Sequence, residues 1–180
     1  SRRLKSDRPD DRREALFRVT YQSWGDNDAF GPVYRLMAGA DPDPAVRAAA
    51  LLALARHGGP EDAPLFQTAL ASTHRVERRA AAIFAQRVHM PDLVPFIAER
   101  STDAEEDVQV RRDLTVALSQ YQSDRAVDAL VSALDASRYA IVEAGRTGLQ
   151  RLTGMDHGTD SAIWQSAINT SRREGQLFAQ

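Results

Sequence analysis

The chain has 180 residues, of which 43% are hydrophobic and none is cysteine. This composition supplies a core for one domain or one short array of repeats, and it excludes disulfides, thiolate metal sites and cysteine nucleophiles. A formal net charge of −2 gives no general attraction to nucleic acid or to an anionic membrane, and no apolar run approaches the ~20 residues of a membrane-spanning helix.

The first ten residues are charged and have no apolar face, so the sequence predicts a flexible N-terminus over residues 1–10. The chain begins at Ser1 rather than at Met, as a processed or truncated start would. We expect a soluble protein, with a periplasmic or envelope location favoured over the cytoplasm.

The first predicted helical pair is the richest in aromatic side chains. Over residues 11–24, Phe17, Tyr21 and Trp24 recur at the i, i+4 and i+7 spacing of one helix face. A glycine then ends the helix, and a second helix containing Tyr34 follows. We expect these aromatic side chains to form either the capping core of a helical array or the wall of a pocket for an apolar or sterol-like molecule.

The stretch Asp41-Pro42-Asp43-Pro44 predicts a tight turn that opens a helix. Each proline restricts the residue before it, so a preceding helix cannot continue through this stretch. Pro44 suits a first helical position, and the Asp43 side chain can accept hydrogen bonds from the free amides there. The buried face of this helix is predicted to consist of Val46, Ala50, Ala53 and Leu54.

The same unit recurs along the chain. The segments Pro32-Val33-Tyr34, Pro64-Leu65-Phe66 and Pro95-Phe96-Ile97 are spaced by 32 and 31 residues. In a third pair that begins near Thr73, the buried face is expected to be Val76, Ala80, Ile83 and Phe84. Helical pairs that recur about every 30–35 residues are typical of an α-solenoid, in which pairs stack because one pair cannot bury its own apolar face.

The pattern Asp-Pro-Asp-Pro-x-Val-Arg-x-x-Ala-x-x-x-Leu at residues 41–54 resembles the HEAT-repeat family, in the short-repeat form common in bacterial proteins. The turn at residues 58–65 is also similar to that family. The resemblance implies an all-α, right-handed α-solenoid of about five stacked antiparallel helical pairs, with a curved binding surface and no chemistry of its own. We therefore predict one repeat domain over residues 11–170, followed by a tail over 171–180.

The residue types that carry catalysis do not assemble into a recognisable set. The histidines show neither a His-Glu pair nor a His-x-x-x-His spacing, and the chain lacks Gly-x-Ser-x-Gly and a phosphate-binding glycine loop. The densest polar group, Asp156, His157 and Asp160, is interpreted either as a loop with helix caps or as a site. We predict no catalytic residues, no metal site and no cofactor, and thus a protein that is not an enzyme.

A row of arginines recurs on the first helix of successive pairs, away from the predicted buried faces and on helices expected to line the concave surface. Such a row suits an acidic peptide, phosphate or carboxylate; alternatively, the arginines pair with acidic side chains inside the repeats. Leu51 and Leu52 either floor an exposed apolar groove or are buried because a central helix packs on two sides. The predicted partner-binding residues of the concave face are Arg47, Leu51, Arg78, Arg112, Thr115 and Arg146.

The sequence thus favours a non-catalytic scaffold or adaptor that binds a partner protein on the concave face. The alternative is that the chain binds an apolar small molecule or lipid, as an accessory of a bacterial envelope transport system. No aromatic residues interleave with the arginines, so nucleic acid is not an expected partner.

Overall fold

The computed structural model describes residues 2–22 and 30–178 of the chain. Within these residues the regular structure consists of ten α-helices and three short 3-10 helices, with no β-strand. The predicted all-α fold class, built from repeated helices, is confirmed. The helices belong to two compact units, residues 1–90 and residues 91–180.

The first unit holds helices α1 to α5. Their bounds are Pro9–Thr20, Gly31–Ala40, Pro44–His57, Ala63–Leu70 and Arg75–Ala85. Helix α3 packs side by side with both α1 and α5, while α2 packs on α3 and α4 packs on α5. The unit thus has a layer of three helices, α1, α3 and α5, and a second layer formed by α2 and α4.

Proline and a capping aspartate determine where helices of this unit begin. Helices α1 to α4 each carry a proline at their first or second position, where the missing amide hydrogen is not needed. At α3, Oδ1 of Asp43 accepts hydrogen bonds from the amides of Ala45 (2.9 Å) and Val46 (3.1 Å). The predicted turn and helix start at residues 41–44 are confirmed.

The buried face of α3 follows the prediction, but that of α5 differs from it. The fully buried residues of α3 include Val46, Ala50, Ala53 and Leu54. The prediction for α5 is wrong at Val76, which is 48% exposed, and at Ile83, which is only half-buried, whereas Glu77 is only 5% exposed. The reason is the position of the helix start. His74 is the N-cap of α5, so Glu77 stands three residues after the cap, as Val46 does in α3.

The second unit holds helices α6 to α10. Their bounds are Val94–Thr102, Val108–Leu118, Asp124–Leu134, Tyr139–Thr153 and Ser161–Glu174. Helix α7 packs beside α9 and α6 beside α8, while α8 also contacts α9 and α10. Side-chain oxygens of Asp107, Ser123 and Asp160 cap α7, α8 and α10. This unit therefore also has two layers, with α7 and α9 in one and α6, α8 and α10 in the other.

Helix α9 approaches α8 closely because two of its residues are glycines. A Cβ at Gly145 would lie 2.8 Å from the carbonyl oxygen of Leu130, and one at Gly148 would lie 2.8 Å from Cδ2 of the same leucine. Both contacts are too short for a real side chain. A larger residue at Gly145 would meet the backbone and push the two helices apart, whereas one at Gly148 would force the Leu130 side chain to shift.

The helix bounds cross both borders of the predicted repeat domain. Helix α1 begins at Pro9, before the predicted start at residue 11, and α10 continues to Glu174, inside the predicted tail. Leu177, beyond the end of α10, is buried. The three-part division of the chain otherwise stays a prediction.

Candidate functional site

Two arginines of the predicted row bind the turn that precedes their own helix. Nη1 of Arg47 donates to the carbonyl oxygens of Asp41 (2.7 Å) and Pro42 (3.2 Å). Nη1 of Arg78 makes the same bonds, at 2.9 and 3.1 Å, to the carbonyl oxygens six and five residues before it. The recurrence of arginine at this position thus has a structural cause, because each guanidinium satisfies backbone acceptors that a turn leaves open.

Arg47 is also held by a neighbouring helix. Its guanidinium forms an ion pair with the Glu77 carboxylate of α5, and only 23% of the Arg47 side chain is exposed. The contact joins α3 to α5 within the first unit. It corresponds to the alternative, left open by the sequence, that the arginines pair with acidic side chains inside the repeats. A partner's carboxylate would have to displace Glu77 to reach this cation.

The other two arginines of the row belong to the second unit and are paired as well. Arg112 donates to the Asp113 carboxylate at 2.9 Å, with 46% of its side chain exposed. Arg146 donates two hydrogen bonds, of 3.1 and 2.8 Å, to Asp156. These bonds, together with one from the amide of Gly158, lower the pKa of Asp156 below its usual range. Arg146 therefore fixes the loop between α9 and α10.

Two other members of the predicted partner-binding set are buried, which corrects that set. Leu51 of α3 is 1% exposed and Thr115 of α7 is 0% exposed. The reason is that α3 and α7 each pack against several neighbouring helices, as one alternative for Leu51 supposed. Oγ1 of Thr115 donates to the carbonyl oxygen of Arg111 at 2.8 Å, within its own helix. A partner role for the four arginines stays a prediction.

The predicted aromatic pocket is divided between the core and the surface. Tyr34 is fully buried, and its ring stacks on His57 with centroids 6.1 Å apart. Phe17 and Tyr21 are 43% and 67% exposed, and their rings stack with centroids 6.5 Å apart. Trp24 lies outside the described residues. A single pocket walled by the described members of this set is therefore not formed.

An open groove over α1, α3 and α5 was predicted only in part, since an exposed apolar groove was one alternative for Leu51 and Leu52, and Leu52 lines it. An i, i+3, i+4, i+7 stripe of α3 forms its floor, and a stripe with the same spacing on α5 forms one side. The groove has a volume of about 360 Å³. Its lining residues are Arg13, Phe17, Ala45, Ala48, Ala49, Leu52, Val76, Arg79, Ala80 and Ile83.

The groove has an apolar floor and open walls. Ala48, Ala49 and Ala80 are nearly buried, and these small side chains make a recess between the helices. Phe17 of α1 and Val76 of α5 stand at its sides with about half of their surface exposed, at 43% and 48%. Large apolar side chains that face solvent around a recess are typical of a docking surface.

Cationic side chains border this apolar floor. Arg79 is exposed and lines the groove from α5. Arg13 lines it from α1, with an ion pair of 2.9 Å to Asp10. One helical turn after the Phe17 position, the Tyr21 ring lies 5.6 Å from the guanidinium carbon of Arg56. The charged residues that line the groove are therefore both positive.

The second unit has a groove at the equivalent surface, over α7 and α9, with a volume of about 420 Å³. Arg112 and Glu143 line it, one from each helix, and both carry charge. Tyr139, at the start of α9, also lines it and is 74% exposed. This groove thus presents charges of both signs, in contrast to the apolar groove of the first unit.

The polar loop before α10 is engaged in local structure. Asp160 caps α10 by accepting from two amides, and the His157 ring packs edge-on against Trp164 with centroids 4.9 Å apart. Asp156 is held by Arg146. Within residues 2–22 and 30–178, no group of three or more histidine, cysteine or acidic side chains is placed to hold a metal ion. None of the helices in this part of the chain has the length and apolarity to span a bilayer.

The comparison with known families agrees with the architecture. Residues 2–85 match the family model for HEAT repeats, a range that includes all five helices of the first unit and therefore the whole apolar groove. No curated protein matches the chain. HEAT repeats commonly serve as protein-interaction scaffolds and are typically non-catalytic. The resemblance noted at residues 41–54 is thereby confirmed, and residues 2–85 of the chain consist of HEAT repeats.

Proposed function

We propose that this chain is a non-catalytic interaction module that binds a partner protein in the apolar groove over α1, α3 and α5. The observation that carries the proposal is the exposure of Phe17 and Val76, at 43% and 48%, on the two sides of an alanine-floored recess. Burying such side chains against a partner gains about 25 cal/mol for each Å² of apolar surface removed from water.

The openness of the groove favours a protein over a small molecule. Pockets for small molecules bury roughly 70–90% of the ligand, whereas this groove has solvent-exposed walls and a floor of flat alanine methyl groups. Tyr34, which would have walled a ligand pocket, is instead packed in the core. The lipid or sterol-like alternative therefore has less support than a protein partner.

The proposal is tested by changing the groove walls and measuring binding to the natural partner. The double variant Phe17→Glu with Val76→Glu places two charges on the apolar walls. The matched control is Tyr139→Glu with Ile163→Glu, two apolar side chains of the second unit that are 74% and 52% exposed. Affinity purification from the native host, followed by titration of the recovered partner, gives the affinity of each variant.

We expect the groove variant to bind the partner at least about tenfold more weakly than the unchanged chain, which is a loss of about 1.4 kcal/mol. The control variant should bind as the unchanged chain does. Both variants alter exposed positions, so their free energies of unfolding should change by no more than about 0.5 kcal/mol per site. If the groove variant and the control variant bind the same partner with equal affinity, the groove is not the binding site.

A further inference from the structure

We infer that the occupant of the apolar groove is an amphipathic α-helix of a partner protein, with carboxylates beside its apolar stripe. This inference rests on the function proposed above and adds the chemical class of the partner segment. Three features of the groove support it. These are the length of its floor, the methyl groups of that floor, which cannot hydrogen-bond to the backbone of a bound peptide, and the sign of the charges around it.

The floor has the dimensions of two helical turns. The stripe of α3 that forms it runs from Ala45 to Leu52, which is about 10 Å at 1.5 Å per residue. Three of its four positions are alanine, so a second helix can lie at the short end of the usual 8–10 Å separation between packed helices. A partner helix therefore fits with apolar side chains at i, i+3 or i+4, and i+7.

The same floor disfavours an extended peptide. An extended segment brings unpaired backbone amides and carbonyls to the surface that it covers, and these groups need hydrogen-bond partners when water is excluded. The floor offers methyl groups of Ala45, Ala48, Ala49 and Ala80 instead. A helix satisfies its own backbone hydrogen bonds and presents only side chains, so it can cover this floor without leaving polar groups unpaired.

The charges around the floor select an acidic helix. Arg79 is exposed at the groove and has no ion-pair or hydrogen-bond partner among the described residues. The pair of Arg13 with Asp10 is largely solvent-exposed, with 45% and 74% of the two side chains accessible, so Arg13 is open to exchange its partner. Carboxylates on both sides of a partner's apolar stripe would meet these cations from α1 and α5.

The test uses three fluorescein-labelled synthetic peptides of 14 residues. One is an amphipathic helix with leucines at the i, i+3, i+4 and i+7 positions and glutamates beside them. The second has lysine in place of each glutamate, and the third is a scrambled form of the first with the same composition. Fluorescence anisotropy measures the affinity of each for the full chain at low salt, where exposed charges are little screened.

We expect the acidic peptide to bind at least about tenfold more tightly than the lysine peptide and the scrambled peptide. The variant Arg13→Glu with Arg79→Glu should reverse this preference, so that the lysine peptide binds more tightly. The matched control, Arg125→Glu with Arg151→Glu, makes the same charge change at exposed positions of the second unit and should keep the acidic preference. Circular dichroism of each variant confirms that its helical content is unchanged.

Equal binding of the acidic and lysine peptides, or no binding of either, would overturn the acidic-helix inference. Scrambled peptide that binds as tightly as the amphipathic one would overturn the helical part of it. The proposed function has a separate outcome. If the natural partner is lost on Phe17→Glu with Val76→Glu while the peptides show no acidic preference, the groove is the binding site and only the class of occupant is wrong.

Discussion

The layer of α1, α3 and α5 in the first unit and the layer of α7 and α9 in the second are built on one positional plan but present different surfaces. Counted from the N-cap of each helix, the positions two, five, six and nine residues on form an outward stripe, in which buried residues such as Ala80 (2% exposed) lie beside exposed ones such as Val76 (48%). In the first unit these residues are Ala45, Ala48, Ala49 and Leu52 in α3, and Val76, Arg79, Ala80 and Ile83 in α5. In the second unit they are Gln109, Arg112, Asp113 and Val116 in α7, and Ala140, Glu143, Ala144 and Thr147 in α9.

The inward positions of the same helices vary much less. The residues eleven positions after the N-cap are Leu54, Ala85, Leu118 and Leu149, and all four are fully buried. Packing against neighbouring helices restricts these positions to apolar side chains in both units. The outward stripe is less restricted, because several of its residues are exposed, so a difference between the units there points to binding rather than to folding.

The first prediction has the largest expected effect and tests whether the inward positions of the two units are equivalent. Leu54→Ala in α3 and Leu118→Ala in α7 each remove a fully buried side chain at the same distance from the N-cap. We expect each to lower the free energy of unfolding by about 2–5 kcal/mol, because transfer free energy is lost and a cavity remains. Urea denaturation, monitored by circular dichroism, measures the free energy of unfolding of both variants.

The control for these two variants is Leu36→Ala, since Leu36 is 68% exposed and its truncation should change stability by no more than about 0.5 kcal/mol. A loss below about 1 kcal/mol in only one of the two core variants would show that the inward positions are not equivalent. The outward stripes of the two units could then not be compared position by position.

The parts of the fold that could be predicted from sequence are those fixed by local chemistry. Asp43 and Pro44 determine a helix start through a side-chain hydrogen bond and a restricted backbone angle, both of which depend on a few adjacent residues. The α5 register was mispredicted because Val76 is apolar and Glu77 is charged, and composition alone places valine inside. The ion pair with Arg47 reverses this order, and it depends on a residue 30 positions away.

The second prediction concerns Glu77, the charged residue at an otherwise apolar inward position. Val46, Val110 and Ile141 stand at the same place, three residues after the N-cap, in α3, α7 and α9. Glu77→Ala leaves Arg47 without its carboxylate, and we expect a loss of about 2 kcal/mol. This is less than the roughly 3–5 kcal/mol of a fully buried pair because Arg47 is 23% exposed.

The double variant Arg47→Met with Glu77→Val separates the contribution of the ion pair to stability from that of side-chain packing. Replacing both partners by apolar side chains removes the desolvation cost of the charges, so the double variant should be more stable than Glu77→Ala alone, as thermal unfolding would measure. If the double variant loses as much stability as the single variants Arg47→Met and Glu77→Val together, the ion pair contributes nothing and the Arg47 bonds to the turn carbonyls account for its role.

The candidate site could be predicted less well than the fold, for two physical reasons. The arginine row was recognised from its recurrence, but the acceptors of Arg47 and Arg78 are backbone carbonyls, which every sequence position supplies and no residue type marks. The alanine floor of the groove was not predicted because alanines such as Ala48 and Ala49 give a weak apolar signal. The stripe is found when residues are numbered from the N-cap of each helix rather than from its most apolar residues.

The smallest expected effect concerns the helix caps that set this count. Asp43 and Asp107 cap α3 and α7 through side-chain hydrogen bonds, whereas His74 makes no such bond at the start of α5. We expect His74→Asp to raise the free energy of unfolding by up to about 1 kcal/mol and Asp107→Ala to lower it by about 1 kcal/mol. Urea denaturation of both variants beside the unchanged chain measures the two shifts. A loss of stability on His74→Asp would mean that the turn before α5, unlike the turns before α3 and α7, cannot place an aspartate oxygen at the free amides.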